Sequence, residues 1–430
     1  MIYENWLFTG SLAIESKPCP PLNKKIKTDC LVIGGGFAGL HAALRLADAG
    51  KDVVLLEKGI CGSSSSGQSG GFLTPESEED TLILIKKYGK ESAEKISKIP
   101  EKGVDLIVET AKKYKFNCDL RKQDSLYLSI KKGHDEIIRE DEKTKKESGI
   151  NYKLLNKNEL SKIHPGKGYT LGLKSPGSYG INSFAYCQEI KNLLIKKGVK
   201  IFEGSEVNNI TKNSAITHLG EVTAKDIIVC MDKMKKEFNQ DLSKEYYHFQ
   251  TYLAVSEPLS DEEVKTIFPK EELMCWDTRF NYIHYRLIEK NRLLVGGSSK
   301  STVYSSKIHH FPSVINSFID DLKKRFPTLN DVKFPYYWSG LIDITRDLTP
   351  IADYDPYNKS IQYALGCAGL PWAAYCGDYL ARRVINPKGT EDLSEFLGIR
   401  RKYFLGKFFQ KIFGKKITFA LNHLKQWFLS

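Results

Sequence analysis

The stretch TDCLVIGGGFAGLHAALRLADAGKDVVLLEK, residues 28–58, decides the fold. Residues 28–33 are a short, mostly apolar run of strand length, residues 34–36 are a triple-glycine turn, and residues 37–49 carry apolar side chains at helical spacing up to Gly50. Residues 53–56 read as a second buried strand. Strand, helix and strand within about 30 residues make a parallel βαβ unit.

Within that unit, Gly34-x-Gly36-x-x-Gly39 stands directly after a strand and opens a helix. Gly34 permits the tight turn, Gly36 lets the backbone approach a pyrophosphate, and Gly39 allows close helix–strand packing; the helix N-terminus adds unpaired N–H groups and a positive dipole end. Glu57 closes the second strand about 20 residues on, where a carboxylate accepts hydrogen bonds from a ribose diol. These residues predict dinucleotide binding and leave FAD and NAD both open. The motif has no second copy, which disfavours a separate nicotinamide domain.

Outward from this unit, 430 residues suggest two to three domains, or a cofactor domain with a large insertion. The chain is 41% hydrophobic and 27% charged, near globular averages, and has no apolar run of the roughly 18 residues that span a bilayer. Residues 1–10 lack a secretory pattern, so the expected location is cytoplasmic. Nine scattered cysteines, never spaced Cys-x-x-Cys, fit neither a disulfide framework nor a zinc site, and no metal is expected.

Residues 17–27, with Pro18, Pro20 and Pro21, read as an extended lead-in. Residues 76–162 are lysine-rich with amphipathic helical patterns, interrupted by a strand at 125–130. Strand patterns recur at 200–202 and 226–230. Those at 282–287 and 292–295, separated by Glu289, Lys290 and Asn291, predict an antiparallel hairpin.

Residues 62–72, GSSSSGQSGGF, resemble the second flavin-contacting loop of the D-amino-acid-oxidase-like (DAO) family, whose members near in pattern are gamma-glutamylputrescine-oxidase- and glycine-oxidase-like proteins. Small residues there let the backbone lie against a flat ring and a diphosphate. The resemblance extends over residues 28–385. It covers the glycine–asparagine turn and helix before Val207, the returning strand at 224–230, residues 340–350, and the closing run Tyr363-Ala-Leu-Gly366-Cys-Ala-Gly369.

The resemblance implies FAD, held by Gly34, Gly36, Phe37, Ala38, Gly39, Glu57, Lys58, Ser65, Ser66, Gln68, Gly70, Gly71, Phe72, Val207, Gly366, Gly369 and Leu370. It also implies an α/β fold (α+β overall), in which a Rossmann-like FAD domain interleaves with a mixed, mostly antiparallel substrate domain. Residues 28–75, 165–235 and 335–390 are assigned to the FAD domain, 76–164 and 236–334 to the substrate domain, 1–27 to the lead-in and 396–430 to a basic tail.

Two departures from the family pattern stand out. Gly369-Leu370-Pro371 replaces the usual Gly-His-Gly. Gly340-Leu341-Ile342-Asp343 replaces a Gly-Leu-Arg-Pro whose arginine clamps an α-carboxylate. Ile342 cannot form that clamp, so the expected substrate shifts from a free α-amino acid toward an amine such as a gamma-glutamyl-polyamine.

The implied reaction is hydride transfer from substrate carbon to flavin, followed by imine hydrolysis. Three residues are singled out for it: Asp343 to meet a cationic amine, Tyr285 to wall the substrate pocket, and Arg286 as an anion partner. Arg279 is a second cation of that kind. His248 and His284 read as structural histidines, and Trp372 as either a flavin cover or core filler.

The net charge is +12, and residues 396–430 carry eight cations with no Asp or Glu, so the remaining body is only mildly basic and a nucleic-acid partner is disfavoured. Ile399, Tyr403, Phe404, Phe408, Phe409, Ile412 and Phe413 recur at helical spacing between these cations. The tail fits either an anionic membrane interface or a helix docked on the body. The choice bears on the electron acceptor, oxygen or a membrane quinone. The rival functions are a quinone-reducing dehydrogenase peripheral to the inner face of a membrane, an RNA-modifying flavoprotein, and an FAD-binding protein without turnover.

Overall fold

In the computed structural model, which describes residues 1–5, 17–76, 81–147, 150–236, 238–279, 281–299 and 302–429, the opening strand is Lys25–Ile33. It begins three residues earlier than predicted because its polar start pairs in parallel with the long strand Glu221–Val229, Lys25 opposite Glu221 and Lys27 opposite Thr223. The helix Phe37–Asp48 and the strand Val53–Leu56 follow as expected. Residues 17–24 of the lead-in are described, and residues 6–16 lie outside the described residues.

Lys25–Ile33 lies centrally in an eight-stranded sheet, between Val53–Leu56 and Glu221–Val229. Lys200–Phe202 forms one edge. On its other side Glu221–Val229 forks. Its first half pairs antiparallel with Ser214–Thr217, which continues to Val207–Ile210, while Ile227 to Val229 pair in parallel with Ile361–Leu365. The parallel strands end at Ile33, Leu56, Val229 and Leu365, and the carboxyl ends of such strands are the usual position for a ligand crevice.

One face of this sheet is covered by the helices Phe37–Asp48, Lys90–Lys113, Ser183–Lys196 and Leu370–Ile385, which share a core with Leu40, Ile107, Ile190 and Leu380. The other face packs Leu31, Val54 and Val222 under the small strands, with Leu22 of the lead-in.

The second sheet has nine strands. Its centre is the hairpin His284–Ile288 and Arg292–Gly297, turned at Lys290 and Asn291, both with positive φ, and flanked by the 13-residue strand Tyr246–Pro258. Tyr336–Thr345 pairs with Tyr246–Pro258 along its whole length. The helix Pro312–Arg325 covers one face through Ile315, Phe318 and Leu322. Leu171–Ser175 and Tyr336–Thr345, in segments assigned to the cofactor domain, both hydrogen-bond into this sheet. The chain is therefore more interwoven than those segment boundaries imply.

The tail forms helices Ser394–Leu397, Lys407–Phe413 and Lys415–Leu429, interrupted at Gly406 and Gly414. Among the described residues no helix is long and apolar enough to cross a membrane.

Candidate active site

The glycine turn adopts the geometry that its spacing demands. Gly34 has φ +110°, and a Cβ there would lie 2.3 Å from the Cys230 carbonyl oxygen. A Cβ on Gly39 would lie 1.8 Å from the Gly34 carbonyl oxygen. The helix that follows is capped by Gly36 without a side-chain acceptor. Its first N–H groups have no intrahelical carbonyl, and that of Phe37 donates to Ser66 Oγ at 3.1 Å.

This helix end opens on a cavity of about 310 Å³. Gly34, Gly36, Phe37, Ala38, Glu57, Lys58, Ser65, Ser66, Val207 and Gly366, all predicted as cofactor residues, line it together. The Glu57 carboxylate accepts from the N–H groups of Gly35 and Gly59, each at 2.7 Å. Burial raises its pKa, and those two donors act against the rise. A Cβ on Gly36 would lie 2.8 Å from Ser66 Oγ, filling the cradle between turn and serine loop. A helix end without an N-cap side chain, a bare glycine cradle and a buried carboxylate on one cavity fit a dinucleotide.

The predicted residues outside the cavity lining hold its frame. Gly39 packs helix against strand. Gly70 and Gly71 bring the serine loop onto the second sheet, where the Gly70 carbonyl accepts from Arg286 Nε at 2.8 Å. Trp338 Nε1 donates to the Gln68 carbonyl at 2.9 Å, and Phe72 starts a short antiparallel pairing with Gly180. Gly369, with φ +96°, caps the helix that Leu370 begins, and Leu370 is buried in its core. Trp372 on that helix is 2% exposed and packed in the same core, so core filling is the role its position gives it.

The second sheet contributes Ile342 and Asp343 to the same cavity. Asp343 accepts from His248 Nδ1 at 2.6 Å and from the Lys233 N–H at 2.8 Å. Burial first, then the neighbouring Asp232 carboxylate, push its pKa up to about 6. Asp232 in turn accepts from Ser65 Oγ, and from Ser64 Oγ at 3.0 Å, with Lys233 Nζ bridging both serines. Ser65 Oγ also lies 2.6 Å from the Leu341 carbonyl, tying the serine loop to the Tyr336–Thr345 strand.

The other two residues singled out for the reaction lie elsewhere. Tyr285 does not line this cavity: it is 2% exposed in the core of the second sheet, hydrogen-bonded to His164 Nε2 at 2.6 Å and Tyr169 at 3.0 Å. Strand alternation sends it to the face opposite Arg286. Arg286 is fully buried and donates to the carbonyls of Gly70, Ile181 and Leu287, so its donors serve the frame and not an open anion site. Arg279 is held by Asp277 and Asp321.

Asp232, Lys233, Ser64, Cys230 and Cys367 line the cavity without having been singled out in sequence. The available signal for the first three was position: Asp232 and Lys233 follow a strand already read as returning to the cofactor, and Ser64 lies in the serine run. Glu203, also not singled out, is 2% exposed and lies two residues before Ser205 of the cavity lining. It accepts from the N–H groups of Cys19 and Cys61, each at 2.7 Å, and pairs with buried Lys191. No local pattern marks it, because its partners are distant in sequence.

Comparison with known proteins agrees with this geometry. The DAO (FAD dependent oxidoreductase) family model matches residues 29–383. A Haemophilus influenzae protein described as "probable oxidoreductase OrdL" is 29% identical, covering 89% of this chain and 88% of its own. The gamma-glutamylputrescine oxidoreductase of Escherichia coli is 28% identical, covering 82% of each chain. Among solved structures, glycine oxidase from Geobacillus kaustophilus superposes with a TM-score of 0.75 over 88% of this chain and 100% of its own; at 17% identity this is a likeness of fold.

Proposed function

Because the chain belongs to the DAO family of FAD-dependent oxidoreductases, we propose that it oxidises a carbon–nitrogen bond of a small cationic amine, of the gamma-glutamyl-polyamine kind, in preference to a free α-amino acid. The observation that carries this reading is the pairing on one cavity wall of Ile342 with the buried carboxylate of Asp343. An apolar side chain offers nothing to a substrate carboxylate, whereas a desolvated carboxylate attracts an ammonium group strongly. The similarity to the E. coli gamma-glutamylputrescine oxidoreductase supports the same substrate class.

When bound, FAD supplies the two-electron acceptor for the hydride that leaves the carbon next to nitrogen. The remaining tasks fall to the chain. Gly34, Gly36, Ser66 and the helix end would seat the diphosphate, and Glu57 the ribose. Asp343 would hold the ammonium. Its hydrogen bond to His248, whose side chain is 19% exposed, offers the displaced proton a route to solvent before hydride loss from the neutral amine. The resulting imine takes up water and its carbon–nitrogen bond breaks, giving a carbonyl product and ammonia from a primary amine or a smaller amine from a secondary one; oxygen or a quinone then removes the two electrons from the reduced enzyme.

Anaerobic bleaching of the yellow protein tests this. Gamma-glutamylated or unmodified polyamines are expected to bleach it at concentrations where D-amino acids and N-methyl amino acids do not. Preferential bleaching by a free α-amino acid would overturn the assignment, and recovery on admitting oxygen, or only on adding a quinone, identifies the acceptor.

A further inference from the structure

The C-terminal helical pair has two unlike faces. The inner face is built into the body. Phe419 is fully buried, His423 Nε2 meets the Thr345 carbonyl at 2.9 Å, Asn422 bonds the Leu405 backbone, and Lys415 donates to the Ser243 carbonyl. These contacts fix how the pair is presented. On the outer face Phe408 is 78% exposed, Ile412 58%, Phe413 47%, Ile417 50% and Leu421 39%.

Phe408 and Ile412 are one turn apart on the first helix, and Ile417 and Leu421 one turn apart on the second, so each pair forms a stripe. Apart from Met1, Ile2 and Tyr3 at the start of the chain and Phe404 just ahead of the pair, the large apolar side chains exposed elsewhere among the described residues stand singly. Single exposed apolar residues are ordinary, but a run of them on one docked element marks an interaction surface.

The charge around the stripes selects the partner. Residues 396–430 contain no Asp or Glu; Lys411 and Lys416 are exposed next in sequence to Ile412 and Ile417, and Lys402 is exposed on the segment leading into the pair. We propose that this outer face is a lipid-docking surface that seats the enzyme on an anionic bilayer, the apolar side chains entering the acyl boundary and the lysines meeting the headgroups. Apolar residues rimmed by cations match an interfacial helix. A second copy of the chain is the poorer occupant, because two such rims would oppose like charges.

The test uses the full-length FAD-loaded enzyme and sedimentation with vesicles of phosphatidylcholine, with or without about a third phosphatidylglycerol. Binding is expected to the anionic vesicles, to weaken with salt, and to fall about tenfold or more both in F408S/I412S/I417S and in K402E/K411E/K416E. Each variant should keep the flavin absorption of the parent, since the altered side chains are exposed. Absence of sedimentation with anionic vesicles, or binding unchanged in both variants, overturns the proposal. So does a wild-type dimer that the apolar variant converts to a monomer without any vesicle binding, which would assign the face to a second copy.

Discussion

Gly39 shows how one hydrogen atom can decide cofactor binding. Its missing Cβ would lie 1.8 Å from a backbone oxygen, which cannot rotate away, so Gly39→Ala must push the helix off the strand. Overpacking of this kind costs about 1–3 kcal/mol. The expected outcome is a lower melting temperature and a clearly reduced ratio of flavin to protein absorbance. Asp343 carries a pH dependence. Its pKa in the folded protein, about 6, lies above the ordinary aspartate value, so the folded state binds the extra proton. Stability from this group therefore falls as pH rises from the ordinary carboxylate range through about 6. Attraction for an ammonium substrate develops over the same rise. Asp232, Lys233, Tyr246, His248 and Lys415 are charged or titratable groups around it. kcat/KM for a cationic amine should climb through pH 6 in the wild type, and that limb should be missing from the pH profile of Asp343→Asn. Both residues stand out in sequence, Gly39 through motif spacing and Asp343 through its place beside the missing arginine. The Asp343–His248 hydrogen bond does not, because it joins strands about 95 residues apart.

Elements with local rules were legible and elements fixed by distant partners were not. The βαβ unit follows from glycine placement and apolar period, and the hairpin from two apolar runs about a polar turn. The strand Tyr246–Pro258 carries few such marks, since its neighbours on both sides supply its pairing. Arg286 shows the same limit at the join between elements. Its place on the hairpin was readable, but not that its guanidinium would bind three carbonyls, two of them from the serine loop and the Ile181 turn. Arg286→Ala would leave buried carbonyls without donors, at about 1–3 kcal/mol each. Arg286→Lys should rescue only part of this, because a point donor cannot reproduce the planar fork. Thermal unfolding and FAD content should both fall. The FAD-loaded fraction should keep the parent KM; a KM raised about tenfold in that fraction, a loss of roughly 1.4 kcal/mol, would instead make Arg286 a substrate anchor.

At the scale of the whole molecule, composition identified the tail as basic but could not sort its cations by direction. Arg401 turns inward and is almost wholly buried, clamping Asp347 at 2.8 and 3.0 Å while donating to the carbonyls of Thr349, Pro350 and Gly398. Lys87, from the helix Thr81–Tyr88, reaches the same carboxylate at 2.9 Å. One buried anion thus joins the end of the Tyr336–Thr345 strand, a helix of the insertion and the tail. Burial alone would raise the pKa of Asp347, but Arg401 and Lys87 outweigh it and hold the group well below the usual carboxylate range. A depressed carboxylate pKa stabilises the fold above the ordinary aspartate value, and that contribution disappears as pH falls through the value in the folded protein. Removing one partner of such a pair costs up to about 3–5 kcal/mol, because the other charge remains buried. Lys87 keeps part of that compensation in Arg401→Ala. The variant should therefore fold with a lower melting temperature at neutral pH, and the gap from wild type should narrow in strong acid, where Asp347 is protonated in both. Since Arg401 also anchors the segment leading into the helical pair, limited trypsin digestion should cut the variant faster at Lys402 and Lys407. A cleavage rate equal to wild type would mean that Phe419 and His423 hold the tail without help from the Asp347 clamp.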